Sequence, residues 1–350
     1  MRKIITSILA ALGLTSACGQ QNYESTDVEG FASLLEKNDV VLLDVRSSSE
    51  FAEGHIAGAL NIDQSDSTFL SRAKQLLPKG ATIAVYCRRG RRSASACNRL
   101  SSAGFRCVNL KGGIEAWKSA SYPLSTSPYE VDVFVTESGK VLKFHALMHA
   151  SILMEYDGKE ILIDPVRQLG NRSVDYSTIG KADYIFVTHE HQDHFDPEAL
   201  QELSDSGTRL VTNRRCKELY GSGEVMSNGD SLQLPDIRVE AVAAYNTSAG
   251  REQFHPKGRD NGYILTIDGL RIYIAGDTED IDEMELTGDI DIAFLPCNQP
   301  YTMTCDQLVH AAKMIRPKVL FPYHYGQTDV SGIAPALSSE GIDVRIRHYE

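Results

Sequence analysis

The sequence lacks several features that would each have assigned the protein to a broad class. None of its apolar runs reaches the ~20 residues that a membrane-spanning helix needs. It contains no CxxC pair, so the cysteine spacing predicts neither a zinc ribbon nor a thioredoxin motif. It has no excess of positive charge: 35 Lys and Arg against 47 Asp and Glu give a net charge of −12. Because binding of nucleic acid depends on neutralising phosphates, we expect no nucleic-acid partner.

What remains is the composition of an ordinary folded protein. Hydrophobic residues make up 42% and charged residues 23% of the 350 residues, which excludes a disordered or collagen-like chain. No internal repeat or low-complexity tract is visible. At roughly 150 residues per domain, the length predicts about two domains.

The first residues are typical of a bacterial export signal. A basic start is followed by a short apolar stretch, residues 4–14, which suits the hydrophobic region of a signal peptide. The segment Thr15–Cys18 resembles a lipobox, so we expect lipidation of Cys18. The alternatives are a plain signal peptide cut near Ala17 and a buried helix. Residues 1–17 are then the signal peptide and residues 18–25 a tether. The mature protein is expected in the cell envelope of a bacterium, lipid-anchored and facing the periplasm or the exterior.

The remaining chain divides into two parts that differ in their pattern of helix and strand signals. Residues 26–124 alternate helical patterns with continuous apolar runs such as Val40–Val45, which predicts an α/β domain with a parallel sheet and helices on both faces. A proline- and serine-rich linker follows at 125–130. Residues 131–350 instead show strands of alternating polarity around Asp-Gly turns. Two β-sheets with outer helices fit this half.

The first candidate site is the loop around Cys87, between a buried strand and a helix. Backbone N–H groups at a helix N-terminus favour an anion, and together with Arg88 and Arg92 they favour the thiolate form of Cys87. Gly90 permits the tight backbone path of the loop. A thiolate in such a cradle can attack a sulfur or phosphorus centre. We therefore assign Cys87 as catalytic and Arg88, Gly90 and Arg92 as substrate-binding, with a buried structural cysteine as the alternative.

Motifs on both sides of this loop resemble the rhodanese family. They are Leu42–Arg46, Gly54–Ala59 and Leu110–Trp117, and with the Cys87 loop they cover about residues 25–127. The resemblance implies a sulfurtransferase that takes thiosulfate or a persulfide and carries the sulfur on Cys87 as a persulfide. The loop has the spacing Cys-x4-Arg, whereas related phosphatases have Cys-x5-Arg, so sulfur is favoured over phosphate.

The second candidate site is a histidine-rich turn after a buried strand. It contains His189, His191, Asp193 and His194 within six residues, and burying that many polar groups without partners would be costly. A loop can direct His189 and His191 to one metal and Asp193 and His194 to another. Imidazole and carboxylate donors suit zinc, manganese or iron. The turn therefore predicts a metal site; a chance polar turn is the alternative.

This HxHxDH pattern resembles the metallo-β-lactamase superfamily. The segments Ile163–Pro165, Ala275–Thr278 and Pro322–Gly326 match the same family. The resemblance implies an αββα sandwich with the site at one sheet edge and two divalent metal ions, zinc first and manganese or iron as alternatives. It also implies that Asp277 bridges the two metals and that His324 completes the second site. The branch resembles ascorbate-6-phosphate lactonases and N-acyl-phosphatidylethanolamine phospholipases D.

One ligand position departs from the family pattern. The superfamily usually supplies a third histidine to the first metal at the end of a strand, where this sequence has Tyr245-Asn246. We expect His255 to supply the ligand from a loop, with Asn246 as the alternative. His149 is assigned to substrate binding or to a position behind the ligands. Asp193 is assigned as catalytic as well as ligating.

Three functions fit these motifs. The first is an exported enzyme that joins a rhodanese sulfurtransferase to a dinuclear metal-dependent hydrolase of an ester, lactone or phosphodiester. The second is a persulfide dioxygenase with a single iron, although the Gly-His-Thr-Pro-Gly segment of such proteins is absent from this sequence. The third is a tethered sulfur-carrying or binding module, against which the intact HxHxDH pattern, Asp277 and His324 argue. In each case the partners are small molecules, with membrane contact only through the lipid anchor.

Overall fold

The computed structural model describes residues 22–125 and 129–349. The predicted signal peptide and Cys18 therefore lie outside the described residues, as do residues 126–128 of the predicted linker. Within the described ranges, no helix has both the length and the apolar character needed to cross a membrane.

The first unit is a parallel sheet of five strands. These are β1 (Glu24–Thr26), β2 (Val40–Asp44), β3 (Leu60–Asn61), β4 (Thr82–Tyr86) and β5 (Arg106–Leu110). Its helices are α1 (Val28–Leu35), α2 (Ser48–Ala52), α3 (Phe69–Leu76), α4 (Arg91–Ser102) and α5 (Gly113–Ser119). The strand order is β1-β5-β4-β2-β3, and every neighbouring pair is parallel.

Both faces of this sheet are covered, as the continuous apolar runs require. On one face, Phe69 of α3 and Leu100 of α4 pack with the sheet core. On the other face, Phe31 of α1 meets Trp117 of α5 edge to face, with ring centroids 6.3 Å apart. A strand buried on both faces cannot alternate in polarity, which explains the runs in β2 and β4. The predicted α/β class is confirmed.

The second unit contains two seven-stranded sheets, and its first strand begins at Val131. The strands of the first sheet are β6 (Val131–Val135), β7 (Val141–Met148), β8 (Ser151–Tyr156), β9 (Lys159–Ile163), β12 (Tyr184–Phe186), β13 (Arg209–Thr212) and β14 (Glu224–Val225), and a separate small hairpin is formed by β10 (Gln168–Leu169) and β11 (Arg172–Ser173). The strands of the second sheet are β15 (Ser231–Gln233), β16 (Arg238–Ala244), β17 (Asp260–Ile267), β18 (Leu270–Ile274), β19 (Ile292–Pro296), β20 (Val319–Tyr323) and β21 (Asp343–Val344). The helices are α6 (Pro197–Leu203), α7 (Arg214–Tyr220), α8 (Cys305–Ile315) and α9 (Ile333–Ala336), with 3-10 turns at Tyr176–Thr178 and Asp282–Leu286.

These two sheets pack face to face and carry helices outside. The orders are β14-β13-β12-β9-β8-β7-β6 and β15-β16-β17-β18-β19-β20-β21. Between them lies an aromatic core in which the rings of Phe294 and Phe321 stack at 4.8 Å. Leu200 of α6 packs outside the first sheet and Leu308 of α8 outside the second. The predicted αββα sandwich is confirmed.

The polar residues of the sandwich gather where strands end. His149 follows β7, and the turn from His189 follows β12. In the second sheet, Asp277 follows β18 and His324 follows β20, while the antiparallel β17 starts at the same edge with Asp260. One edge of the sandwich therefore collects side chains from both sheets.

The two units contact each other through apolar and polar groups. Val131 and Val141 of the second unit join the core cluster of the first. The backbone N–H of Val141 donates to the carbonyl of Asn38 (2.6 Å), and Nε2 of Gln75 donates to Oδ1 of Asp343 (2.6 Å).

Candidate functional site

The first cluster of donors lies at the edge shared by the two sheets. It contains His189, His191, His255 and Asp277, whose ligand atoms all lie within 4.8 Å of one another. Nε2 of His189 is 3.0 Å from Nδ1 of His191, and Nε2 of His255 is 3.4 Å from Oδ2 of Asp277. The structure thus brings His255, from a loop, into the group predicted to hold the first metal.

The second cluster contains His149, Asp193, His194 and His324. Oδ2 of Asp193 is 3.2 Å from Nε2 of His149 and 3.3 Å from Nε2 of His324. Three of these residues were predicted as ligands of the second metal. His149 was assigned to substrate binding from the sequence, and the structure places it directly among the donors.

Asp277 lies between the two clusters. Its Oδ2 is 3.4 Å from Nε2 of His255 in the first cluster and 3.3 Å from Nε2 of His324 in the second. Its Oδ1 is 3.2 Å from Nε2 of His194. This is the position that a carboxylate shared by two cations must occupy.

Asn246 lies two residues after the end of β16, and its amide nitrogen contacts the neighbouring loops. Its Nδ2 donates to the carbonyl of Tyr301 (2.7 Å) and to the carbonyl of Arg251 (3.3 Å). Its backbone N–H donates to the carbonyl of His255 (2.9 Å). Asn246 therefore ties together the loops around the first cluster, and it is not one of the four donors in that cluster.

Two buried carboxylates stand behind the histidines. Oδ2 of Asp164 is 2.8 Å from Nδ1 of His194, and Oδ2 of Asp260 is 3.0 Å from Nδ1 of His255. Such contacts hold the proton on Nδ1 and leave Nε2 free to ligate. Neither carboxylate was assigned a role from the sequence, although Asp164 lies in a segment that matches the family. The signal available was their position, because Asp164 directly follows β9 and Asp260 begins β17.

Burial and mutual charge set the protonation of the centre. Burial, together with the neighbouring His194, lowers the pKa of His189 well below its ordinary value. Burial also disfavours a charge on His324, but the carboxylates of Asp277 and Asp193 outweigh it and raise its pKa to about 9. Burial acts against the charge of Asp277 too, yet His194 and His324 hold its pKa well below the usual range. The carboxylate is therefore ionised at neutral pH, as a metal ligand must be.

The residues present fit bound metal ions. Four donor atoms of the centre are buried and, among the described residues, have no hydrogen-bond partner. They are Nε2 of His194, His255 and His324, and Oδ1 of Asp277. Burying unpaired polar atoms costs about 1–3 kcal/mol each, so a set of them converging on one place fits a site that binds a cation. Imidazole nitrogens with carboxylate oxygens are the donors that zinc, manganese and iron accept.

Three residues of the centre have left-handed backbone conformations that side chains rarely adopt. The φ angles are 55° at His149, 43° at Asp164 and 48° at His324. The N–H of His324 donates to the carbonyl of His149 (3.2 Å), and the N–H of His149 to the carbonyl of Tyr349 (2.9 Å). Strain of this kind costs about 1–3 kcal/mol per residue and persists only where the surroundings impose it.

The Cys87 loop joins β4 to α4, as predicted. Gly90 is the N-cap of α4 with φ of 84°, and a Cβ there would lie 3.0 Å from the carbonyl of Leu110. Cys87 is buried, with 1% of its surface exposed. The hydroxyl of Ser93 donates to its Sγ at 3.3 Å, a contact that the sequence analysis had not identified.

The arginines of this loop are held by carboxylates. The guanidinium of Arg92 makes a two-pronged contact with Glu50, at 2.6 and 2.7 Å. The hydrogen bond from Arg92 lowers the pKa of Glu50 to about 2. Arg88 is largely exposed and contacts Glu115 at 2.7 Å. An incoming anion would therefore compete with Glu50 for Arg92 and with Glu115 for Arg88, which the sequence did not predict.

The fold and the donor clusters define a metal-dependent hydrolase of the metallo-β-lactamase fold that carries a rhodanese domain. The chain belongs to the β-lactamase superfamily, because the family Beta-lactamase superfamily domain matches residues 143–324, more than half of the chain. The family Rhodanese-like domain matches residues 27–120.

Relatives of known sequence or structure agree with this assignment. A UPF0173 metal-dependent hydrolase of Ligilactobacillus salivarius is 35% identical over 185 residues, which cover 51% of this chain and 82% of the relative. A crystal structure from Parabacteroides distasonis, assigned as a metal-dependent hydrolase, has 50% identity and a TM-score of 0.61, and the match covers 63% of this chain and all of that one. The metallo hydrolase Igni18 of Ignicoccus hospitalis has 27% identity and a TM-score of 0.50 over 59% of this chain and 94% of its own.

Proposed function

We propose that the protein catalyses two reactions at two separate sites: hydrolysis at a dinuclear metal centre and sulfur transfer at Cys87. The observation that carries the first half is the pair of four-donor clusters with Asp277 between them. Each cluster has enough donors for one metal ion, and one carboxylate borders both.

In this proposal the first metal would be held by His189, His191 and His255, and the second by His149, Asp193, His194 and His324. Asp277 would serve as a ligand to both. When bound, zinc ions or other divalent ions supply Lewis acidity that polarises a substrate oxygen and lowers the pKa of water.

The chain's own side chains position the reacting groups. The side chain of Asp193 is 30% exposed, whereas that of Asp277 is 3% exposed. Asp193 is thus the carboxylate on the open side of the centre, which supports its assignment as the residue that orients water toward the substrate. Asp164 and Asp260 keep His194 and His255 turned inward.

The proposed substrate is an ester, a lactone or a phosphodiester. All three present an oxygen on which negative charge grows during attack by water, and a centre of this kind stabilises that charge. The branch that the sequence resembles, with ascorbate-6-phosphate lactonases and N-acyl-phosphatidylethanolamine phospholipases D, acts on bonds of these classes.

The mononuclear iron alternative, a persulfide dioxygenase, is less well supported. It needs one set of ligands, whereas the described residues offer two. Because His149 completes the second cluster, that cluster has four donors without drawing on the first.

At the other site, Cys87 is proposed as the nucleophile of a sulfurtransferase. Its thiolate attacks the outer sulfur of thiosulfate, the S–S bond breaks, and sulfite leaves with the bonding electrons. The Cys87 persulfide then gives this sulfur to an acceptor such as cyanide. The Ser93 hydroxyl, 3.3 Å from Sγ, is placed to stabilise the negative charge on sulfur.

The test combines metal analysis with a substrate screen. The purified protein should bind two equivalents of metal and hydrolyse at least one ester, lactone or phosphodiester, without taking up oxygen when supplied with glutathione persulfide. His255→Ala should lose the first metal, whereas Asn246→Ala should keep both. One bound iron together with oxygen uptake would contradict the hydrolase and support a dioxygenase. Full metal occupancy in His255→Ala would remove that histidine from the ligand set.

We also propose export and lipid anchoring through Cys18, on the sequence pattern alone. Palmitate labelling of cells that express the full chain should label the protein, and Cys18→Ser should abolish the label. Labelling of the serine variant, or none of either form, would contradict the anchor.

A further inference from the structure

Two thiols outside both sites lie next to each other. Sγ of Cys297 is 3.5 Å from Sγ of Cys305. Cys297 directly follows β19 and is fully buried, whereas Cys305 begins α8 and is partly exposed. All six described cysteines are free thiols. Neither Cys297 nor Cys305 belongs to the donor clusters or to the Cys87 loop.

The short loop between these two cysteines contacts the segment that carries His255. The carbonyl of Tyr301 accepts the hydrogen bond from Nδ2 of Asn246 at 2.7 Å. The ring of Tyr301 meets that of Phe254, the neighbour of His255, edge to face at 5.2 Å.

The base of the same loop contacts the strand that leads to His324. The backbone N–H of Cys297 donates to the carbonyl of Tyr323 (3.3 Å), and Tyr323 directly precedes His324. The loop therefore contacts the chain neighbours of one histidine from each cluster, Phe254 beside His255 and Tyr323 beside His324.

The surroundings suit Cys305 as the attacking thiol. It is the first residue of an 11-residue helix whose N-terminus is closed by the reciprocal contacts of Thr304 and Gln307. Its partial exposure allows a small-molecule disulfide to reach its sulfur, whereas Cys297 is buried. Burial raises the pKa of Cys297, so that thiol is suited to act second, after Cys305.

We propose that Cys297 and Cys305 form a reversible disulfide by exchange with a small-molecule disulfide, and that its formation changes the activity of the metal centre. The Cys305 thiolate attacks one sulfur of R–S–S–R and releases RS⁻, which takes up the proton of Cys297. The Cys297 sulfur then attacks the Cys305 sulfur and displaces the second RS⁻. The pair loses two electrons and the small disulfide becomes two thiols.

The coupling follows from the distances. A disulfide requires the two sulfur atoms to be about 2.05 Å apart, so they must approach from 3.5 Å. The loop between them must adjust, and Tyr301 takes part in the contacts with Asn246 and Phe254. A shift there reaches His255 through its neighbour. This part rests on the proposed hydrolase, whereas formation of the disulfide does not.

The experiment equilibrates the full-length protein with either oxidised or reduced dithiothreitol. Peptide mapping after alkylation should find Cys297 joined to Cys305 in the oxidised sample and both alkylated in the reduced one. Hydrolysis of bis(p-nitrophenyl) phosphate should change by about fivefold or more and return on reduction. Cys305→Ser should show neither response. The matched control Cys216→Ser, a buried thiol on α7, should keep both.

Two results would overturn the proposal. If Cys297 and Cys305 stay alkylatable under oxidised dithiothreitol, the disulfide does not form. If the disulfide forms but the rate and the cleavage by chymotrypsin after Tyr301 are both unchanged, the loop is not coupled to it. Because the mapping and the proteolysis need no hydrolase substrate, failure of the proposed hydrolysis leaves this test intact. Equal metal content in Cys305→Ser and in the unchanged protein shows that the variant is folded.

Discussion

The two sites of this protein differ in how many chain segments build them. The Cys87 loop is one contiguous strand–loop–helix segment, with Glu50 and Glu115 contributed from outside. The metal centre instead takes donors from residue 149 to residue 324, and each cluster draws on both sheets. The first site depends on local backbone geometry, whereas the second depends on the packing of the whole sandwich. Changes in the chain should therefore affect the two sites separately.

The largest expected difference between the responses of the two sites comes from Asp277→Ala. Because Asp277 borders both clusters, its loss should empty or weaken both metal positions and reduce hydrolysis by more than about 100-fold, since even residues behind metal ligands cost 10–100-fold. Metal content by mass spectrometry and the sulfurtransfer rate are measured together, and the latter should stay unchanged. Asp282→Ala, an exposed carboxylate nearby, is the control. Full metal occupancy in Asp277→Ala would contradict a shared ligand.

The opposite result, in which the Cys87 site is affected and the metal centre is not, is expected from Cys87→Ser. Serine preserves the volume but cannot carry a sulfur atom, so thiosulfate:cyanide sulfurtransfer should be lost while the metal content remains. Cys107→Ser, another buried thiol of the same unit, should keep the activity. Sulfurtransfer by the Cys87→Ser protein at a near-normal rate would show that the nucleophile lies elsewhere.

A smaller effect is expected from the carboxylates behind the histidines. Asp164→Asn should weaken the metal held by His194, and Asp260→Asn the metal held by His255, each by about 10–100-fold. Competition with a chelator of known affinity measures this. If either variant lost both metals equally, the two clusters would not be independent.

Within the Cys87 loop, Arg92→Ala should raise the Michaelis constant for thiosulfate more than Arg91→Ala does. Arg92 is half-buried beside Cys87 and can form a fork with an anion, whereas Arg91 is exposed. Steady-state kinetics of both variants would measure the two Michaelis constants. Equal Michaelis constants would mean that Arg92 stays with Glu50 when thiosulfate is bound.

The smallest expected effect is the stability that the pair of Glu50 and Arg92 contributes. The pKa of Glu50 is lowered from 4.5 to about 2. A lowered carboxyl pKa stabilises the fold above the ordinary value, and this contribution is lost as the pH falls through about 2. Because the pair is partly exposed, the contribution is about 0.2–1 kcal/mol. Urea titrations of Glu50→Gln and the unchanged protein should differ by that amount at neutral pH and converge in acid.

Local patterns in the sequence predicted many of the elements. Asp157-Gly158 predicted a hairpin, and both residues have the positive φ angles, 51° and 74°, that its tight turn requires. The strands Ser151–Tyr156 and Lys159–Ile163 flank this turn. The start of α6 has signals of the same local kind, with Asp196 as its N-cap and Pro197 as its first residue. These features depend on neighbouring residues, which a sequence displays directly.

The parts that escaped prediction depend on residues far apart in the chain. Glu50 and Arg92 are 42 positions apart, and only the sheet order brings them together. The place of His149 among the donors follows from its left-handed backbone, which turns the side chain at the end of β7. His255, which was predicted with Asn246 as the alternative, does lie in the first cluster; the alternative stayed open because no spacing rule gives the distance from its loop to the histidine-rich turn.

The metal centre has a thermodynamic consequence for the second unit. Since each cluster includes donors from both sheets, ions bound there would hold the two sheets together. Ligands that bind only the folded state stabilise it by about 2.7 kcal/mol at a concentration of one hundred times their dissociation constant. The free energy of unfolding of the sandwich should therefore rise with the concentration of free metal. The rhodanese unit contributes no donor to either cluster, so its own stability should respond less. When metal is removed, the sandwich should therefore lose stability before the rhodanese unit does.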